Sequence, residues 1–133
     1  MILSFGWTAD YLPPKGCKDT TRRIWSDRTF KAYCRAWENG RVWHDAVDKQ
    51  LCFKGKYIGR IKLLEKPFKQ RISEMTPDEL IREGGMVSTV DEFIEKYFKG
   101  DRTLEPVVVR FQFVPLVLPK PKQLSLLEIA LCP

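Results

Sequence analysis

The chain has 133 residues, 44% hydrophobic and 30% charged, a balance that fits one globular domain and argues against a disordered chain or a protein built of membrane spans. The net charge of +6 is unevenly placed: residues 1–72 carry 16 basic and 7 acidic side chains, net +9, whereas residues 73–105 carry 4 basic and 9 acidic, net −5. That asymmetry predicts a basic face suited to phosphates and an acidic helical segment elsewhere.

Ile2 to Trp7 has the short apolar and aromatic character of a strand, and the ADYL that follows allows a helical turn which Pro13 and Pro14 must stop. Thr20 to Trp25, rich in β-branched and aromatic residues, predicts a second strand. Residues 27–38 space Phe30, Tyr33, Cys34 and Trp37 along one helical face, so an amphipathic helix is expected with these residues in the core. After the Asn39-Gly40 turn, Val42, His44 and Ala46 alternate with Arg41, Trp43 and Asp45 as in a strand. Gly55 to Leu64 predicts another strand, with Gly59 at a bulge or bend, and Phe68 to Ile72 a continuation.

In SEMTPDELIREGG, Thr76 is placed to cap a short helix, Pro77 to open it, Glu79 to complete a capping box and Gly84 to end it. Residues 89–99 repeat the logic, with Thr89 as cap and Phe93, Ile94, Tyr97 and Phe98 facing inward. Pro106 to Val114 is the plainest strand. Most connections are too short for crossovers, so antiparallel pairing in a small barrel is favoured. The fold class expected is α+β, a small mixed or antiparallel barrel with five or six strands and two or three flanking helices. The domain is placed at residues 1–114. Residues 115–133 form a proline-punctuated tail whose apolar run could dock on the barrel or on a protein partner.

Cys17, Cys34, Cys52 and Cys132 form no CxxC pair and lack the tight spacing of a zinc site, so free thiols are expected and no metal. The N-terminal MILSFGW has no basic region or cleavage site, and no apolar run approaches the roughly 18 residues of a membrane span. A cytoplasmic location, no membrane partner and no cofactor are the corresponding expectations. The single histidine, His44, is read as a strand-surface residue.

The stretch GCKDTTRRIW, residues 16–25, holds the chemistry. In a strand, Thr21, Arg23 and Trp25 share one side and Thr20, Arg22 and Ile24 the other, so an arginine, an aromatic ring and a hydroxyl can meet a base together. Lys18 lies in the loop before the strand and can curl round from it. A threonine is a poor nucleophile without a base, and an amine can serve if nearby cations and burial lower its pKa, with Arg22 and Arg23 the candidate depressors. On spacing alone Lys-x-x-Thr is a weak signal, and a solvated basic edge is the ordinary reading.

Taken together, LSFGW, GCKDTTRR, ENGRVWHDAVDK, YIGRIKLLEKPF, LIREGG, VDEFIEKYF and VVVRFQF resemble, in order and spacing, the ASCH (activating-signal-cointegrator homology) domains, over residues 2 to about 114. The resemblance implies a PUA-like barrel with a cleft between barrel and helices, and an RNA or modified nucleoside as partner. Small bacterial members include amidohydrolases that deacetylate N4-acetylcytidine with a lysine, a threonine and a glutamate. By motif these fall on Lys18, Thr21 and Glu83, the last on a looser helical alignment. Thr20, Arg22, Arg23, Trp25, Trp43 and Asp45 are then the expected substrate contacts, and Arg41, Lys54, Lys56 and Arg60 the expected nucleic-acid contacts. Other family members have been considered RNA-binding or nucleolytic. The stretch between Arg23 and Gly40 and the tail are both longer than in the shortest enzymes. A non-catalytic RNA or modified-base module, or an RNA-processing nuclease, is thus the alternative.

Overall fold

A computed structural model describes residues 1–49 and 54–116. In chain order the elements are β1 (Ile2–Ser4), a 3-10 helix (Gly6–Tyr11), β2 (Thr20–Arg23), α1 (Asp27–Glu38), β3 (Trp43–Val47) and β4 (Tyr57–Leu63). They continue with β5 (Phe68–Lys69), a 3-10 turn (Ile72–Glu74), α2 (Pro77–Glu83), α3 (Val90–Phe98) and β6 (Val107–Pro115). The six strands form one curled, mixed sheet, a half-barrel with three α-helices, as the α+β expectation required. No helix among the described residues is long and apolar enough to cross a membrane.

The sheet order is β1-β3-β4-β6-β2, with β5 also paired to β6. Every pairing is antiparallel except β1 with β3. β6 is the organising strand. Its first half pairs with β2, setting Thr21 opposite Val109 and Arg22 opposite Val108, and its second half pairs with β4. At Ala46/Val47 the β3–β4 register slips by one residue beside Gly59. Gly59 has φ +153°, and a Cβ there would run into the Val114 carbonyl oxygen. The expected bulge is therefore where only glycine lets two strands close.

One apolar core lies between the sheet and α1, around Leu3, Phe5, Tyr33, Ile61, Val109 and Phe111. A second gathers Ile72, Leu80, Phe93, Ile94 and Phe98 beneath α2 and α3. Ser26 accepts the Thr29 N–H at 3.2 Å and Thr89 the Glu92 N–H at 3.1 Å, so α1 and α3 both open on a side-chain cap, the one at Thr89 as expected.

Four details differ from the sequence reading. The first strand stops at Ser4 and the chain turns into the 3-10 helix at Gly6, whose φ is +56°. The strand expected over Phe68 to Ile72 is two residues long, because Ile72 enters a 3-10 turn. Thr76 makes no side-chain cap, and the Glu79 carboxylate reaches across to two arginines instead of back along its helix. His44 is not on the strand surface: it is 2% exposed and its ring packs against Tyr33 at 5.1 Å. The expected docking of the tail apolar run, and Cys52 and Cys132, lie outside the described residues. Cys17 and Cys34 are free thiols.

Candidate active site

Lys18 sits in the loop between the 3-10 helix and β2, and the backbone fixes it there. Its N–H donates to the Tyr11 carbonyl at 2.9 Å, and the Asp19 N–H donates to the Arg82 carbonyl at 2.8 Å, tying the loop to the end of α2. The Arg82 side chain returns the contact, Nε to the Asp19 carboxylate at 3.1 Å. Two glycines permit this closeness. A Cβ on Gly16 would strike the Tyr11 backbone, and Gly84, which ends α2 with φ +126°, would put a Cβ 3.0 Å from the Tyr11 Cβ. The loop and the helix end thus close on the same tyrosine.

That closure buries an ion cluster. Lys18 and Glu83 are 2% and 3% exposed. Lys18 Nζ donates to the Thr20 carbonyl at 3.0 Å, the Glu83 carbonyl at 2.9 Å and Glu83 Oε1 at 3.3 Å. Glu83 Oε2 accepts from Arg22 Nη1 at 2.9 Å, while Arg22 Nη2 donates to Glu79 at 3.1 Å and Gln70 at 3.0 Å. Arg110 closes the chain by donating to both Glu79 oxygens, at 2.9 and 3.0 Å. Each carboxylate faces at least one cation, the condition under which charges tolerate burial.

Burial pushes the Lys18 amine down from the usual lysine range; Glu83 opposes this, and Arg23 and Arg22 reinforce it. The two arginines named by the sequence act in the expected direction, but desolvation is the main cause. Hydrogen bonding to Arg110 holds the Glu79 carboxyl below its ordinary range, against its own desolvation, with Arg22 assisting.

Thr21 and Arg23 share a face of β2, and Arg23 Nε donates to Thr21 Oγ1 at 3.1 Å. The Arg23 guanidinium also lies over the Phe5 ring, 5.4 Å from its centre. Lys18, Thr21, Arg22, Arg23 and Glu83 line one cleft of about 280 Å³, whose apolar wall includes Phe5, Phe93, Tyr97 and Phe98. The cleft therefore opens between the two cores, with Phe5 from one and Phe93 and Phe98 from the other. Chemically it offers a desolvated amine, a hydroxyl beside a guanidinium and a carboxylate, around a space walled by rings.

The remaining expected residues are distributed elsewhere. Thr20 is buried, donates to Asp19 at 3.1 Å and accepts from Arg110 at 3.2 Å, so it braces the cluster. Arg22 touches the cleft, but its side chain is out of solvent and engaged by Glu79, Glu83 and Gln70. Trp25, just past the end of β2, stacks on Tyr33 at 4.4 Å and lines a neighbouring hollow with Arg23. Trp43, Arg41 and Arg60 belong to a separate cavity, and Asp45 faces Arg60 at 3.9 Å. Lys54 and Lys56 are exposed.

Sequence reasoning missed the braces Glu79 and Arg110 and the role of Phe5, Phe93, Tyr97 and Phe98 as cleft wall. Glu79 and Glu83 were findable: four residues apart, they share one face of α2 beside a strand reading TTRR. Comparison with protein-family models, with curated proteins and with solved structures found no match.

Proposed function

We propose that this protein is an ASCH-type amidohydrolase that removes the acyl group from an N4-acylated cytidine or a closely similar nucleoside. The observation that carries the reading is a buried lysine, lowered in pKa by desolvation, sharing one small cleft with Thr21 and Glu83. A cleft of about 280 Å³ is at the lower limit of small-molecule sites, roughly 300–1,000 Å³, and suits one nucleoside better than a strand. Its aromatic wall suits a flat base.

In this mechanism neutral Lys18 Nζ takes the Thr21 hydroxyl proton, and Arg23 stabilises the forming alkoxide through the contact it already makes. The Oγ1 atom bonds to the acyl carbon, the carbon–N4 bond breaks, and N4 leaves with the proton returned by the Lys18–Glu83 pair. Water then attacks the acyl-threonine ester, giving its proton to the same pair, and the carboxylic acid departs as Thr21 is restored. The 3.3 Å contact between Lys18 and Glu83 lets the two share a proton across both half-reactions.

The test is incubation with a panel of N4-acylated cytidines and chromatography of the products, using wild type and Thr21→Val. Valine keeps the β-branched shape, so stability should change by about 1 kcal/mol. Turnover should fall by orders of magnitude while ligand affinity holds. An unchanged rate in Thr21→Val removes the threonine as nucleophile, and no hydrolysis of any member removes the reading. A second reading, a non-catalytic reader of RNA or a modified base, is favoured by one observation: every Lys18 donor already has an acceptor, as a structural lysine would.

A further inference from the structure

A second concave site lies away from the cleft and shares no lining residue with it. Ala32, Arg35 and Ala36 of α1, residues 40–42 of the following turn, Trp43 and His44 of β3, Arg60 of β4 and Met1 enclose about 580 Å³. Its charge is one-sided: three arginines line it and, among the described residues, no carboxylate does. Arg35 and Arg41 form no ion pair among the described residues, and Arg60 has only the 3.9 Å approach of Asp45. All three are exposed.

Helix-end carbonyls do not account for them either. The Arg35 and Ala36 carbonyls accept the Asn39 N–H, the Ala36 carbonyl also accepts the Arg41 N–H, and the Trp37 carbonyl accepts the Gly40 N–H.

An aromatic plate completes the site. Trp43 is 40% exposed, with the Arg60 guanidinium 5.2 Å and the Lys62 ammonium 6.0 Å from its ring. A guanidinium stacked on an indole keeps its edge N–H groups free for a phosphate. Deeper in, His44 lines the same cavity at 2% exposure. The Arg41 backbone is near enough to favour its charged form, yet neither ring nitrogen makes a hydrogen bond of ordinary geometry. A buried imidazole in that condition retains at least one ring nitrogen for a polar group that enters.

We propose that this cavity is a second binding site, independent of the amidohydrolase reading, that takes a nucleoside phosphate. The phosphate is held by Arg35, Arg41 and Arg60, the base lies against Trp43, and a polar edge of the ligand reaches His44. The chemistry is the same whether the nucleotide is free or is one unit of a single strand. Two guanidinium groups without a counter-ion among the described residues, Arg35 and Arg41, and a third that Asp45 approaches only at 3.9 Å, match a phosphate's several oxygens around one hollow, and the exposed indole adds the stacking that inorganic phosphate cannot use.

The experiment is calorimetric titration of the full chain at low salt with cytidine monophosphate, inorganic phosphate and a single-stranded RNA octamer. It is run on wild type, on Arg35→Gln/Arg41→Gln and on Trp43→Leu. The expected result is binding of the mononucleotide or the octamer that weakens roughly tenfold or more in the double variant. Trp43→Leu should weaken the same ligand severalfold and leave any binding of inorganic phosphate unchanged. Binding of the octamer alone assigns the nucleotide to a strand; binding of both assigns it to the free nucleotide as well. Binding that survives the double variant locates the ligand elsewhere and overturns the proposal, as does the absence of binding to both nucleotide ligands. Loss in the double variant without any effect of Trp43→Leu overturns the base contact and leaves an anion site.

Discussion

The two concave sites are both rich in positive side chains and treat them in opposite ways. In the Lys18 cleft the cations are desolvated and committed: Arg22 is shared by Glu79 and Glu83, and Lys18 gives its donors to Glu83 and the Thr20 carbonyl. In the Arg35–Arg41–Arg60 cavity they are solvated, and among the described residues only Arg60 has a carboxylate in reach, Asp45 at 3.9 Å. The lesson is that a count of basic residues does not say which of them meet a ligand. A buried arginine between two carboxylates holds the protein together, while an exposed one with no counter-ion is available to a partner.

The sharpest way to break this contrast is to remove the carboxylate that both buried cations share. Glu83→Ala leaves the buried Lys18 with no carboxylate and Arg22 with Glu79 alone, and a loss of about 3–5 kcal/mol in urea unfolding is expected. A loss near zero would mean that the cluster is solvated in solution and that the two sites are alike. Lys18→Met is milder. Glu83 keeps Arg22, and two carbonyls lose a donor, so about 1–3 kcal/mol is expected together with loss of acyl-cytidine hydrolysis.

Acid titration probes the other site through His44. Burial, the largest cause, pushes its pKa from 6.5 to about 4. As pH falls through that window the unfolded chain takes up a proton that the folded chain refuses, so stability must fall with it. A loss of about 1–2 kcal/mol between the two values is expected, followed by unfolding midpoints against pH and absent in His44→Leu. A flat profile in wild type would place the imidazole in water. The smallest effect belongs to the uncommitted arginines. Arg41→Gln should shift stability by no more than about 0.5 kcal/mol, since no ion pair among the described residues is broken. A larger loss would show that it, too, is structural.

Much of the local architecture was legible because it depends on near neighbours. α1 follows from the helical spacing of its aromatics and the Asn39-Gly40 turn, and α3 from the Thr89 cap. What failed did so where distant residues intervened. Glu79 had the spacing for a capping box, but Arg110 lies close enough to hold both its oxygens, and a charge-assisted pair outcompetes a hydrogen bond to a helix-end N–H. His44 was misjudged because alternation says which residues share a face, not which face a helix will cover; Tyr33 of α1 covers this one. A mixed sheet was allowed for, but which pair would run parallel, β1 with β3, was beyond a period-two argument.

At the candidate site, Lys18, Thr21 and Glu83, grouped in the sequence only through the resemblance, line one cleft. The commitment of Arg22 was not anticipated, because it follows from the helical phase of Glu79 and Glu83 against β2. Nor was the separation of Trp43 from the Lys18 cleft. Trp43 and Thr21 lie on strands that β4 and β6 hold apart in the sheet.

The place of β6 in that sheet has a consequence for how the molecule is made. β6 is the last of the described strands in the chain and pairs with β2, β4 and β5, bringing together partners separated by up to ninety positions, as in Arg110 opposite Thr20. During synthesis, β2 and β4 emerge with unsatisfied edges and wait for Val107–Pro115 before the half-barrel can curl shut. Contacts of such long sequence separation form slowly, and waiting edges are sticky. Vectorial folding would leave the half-barrel exposed to misassembly until β6 arrives.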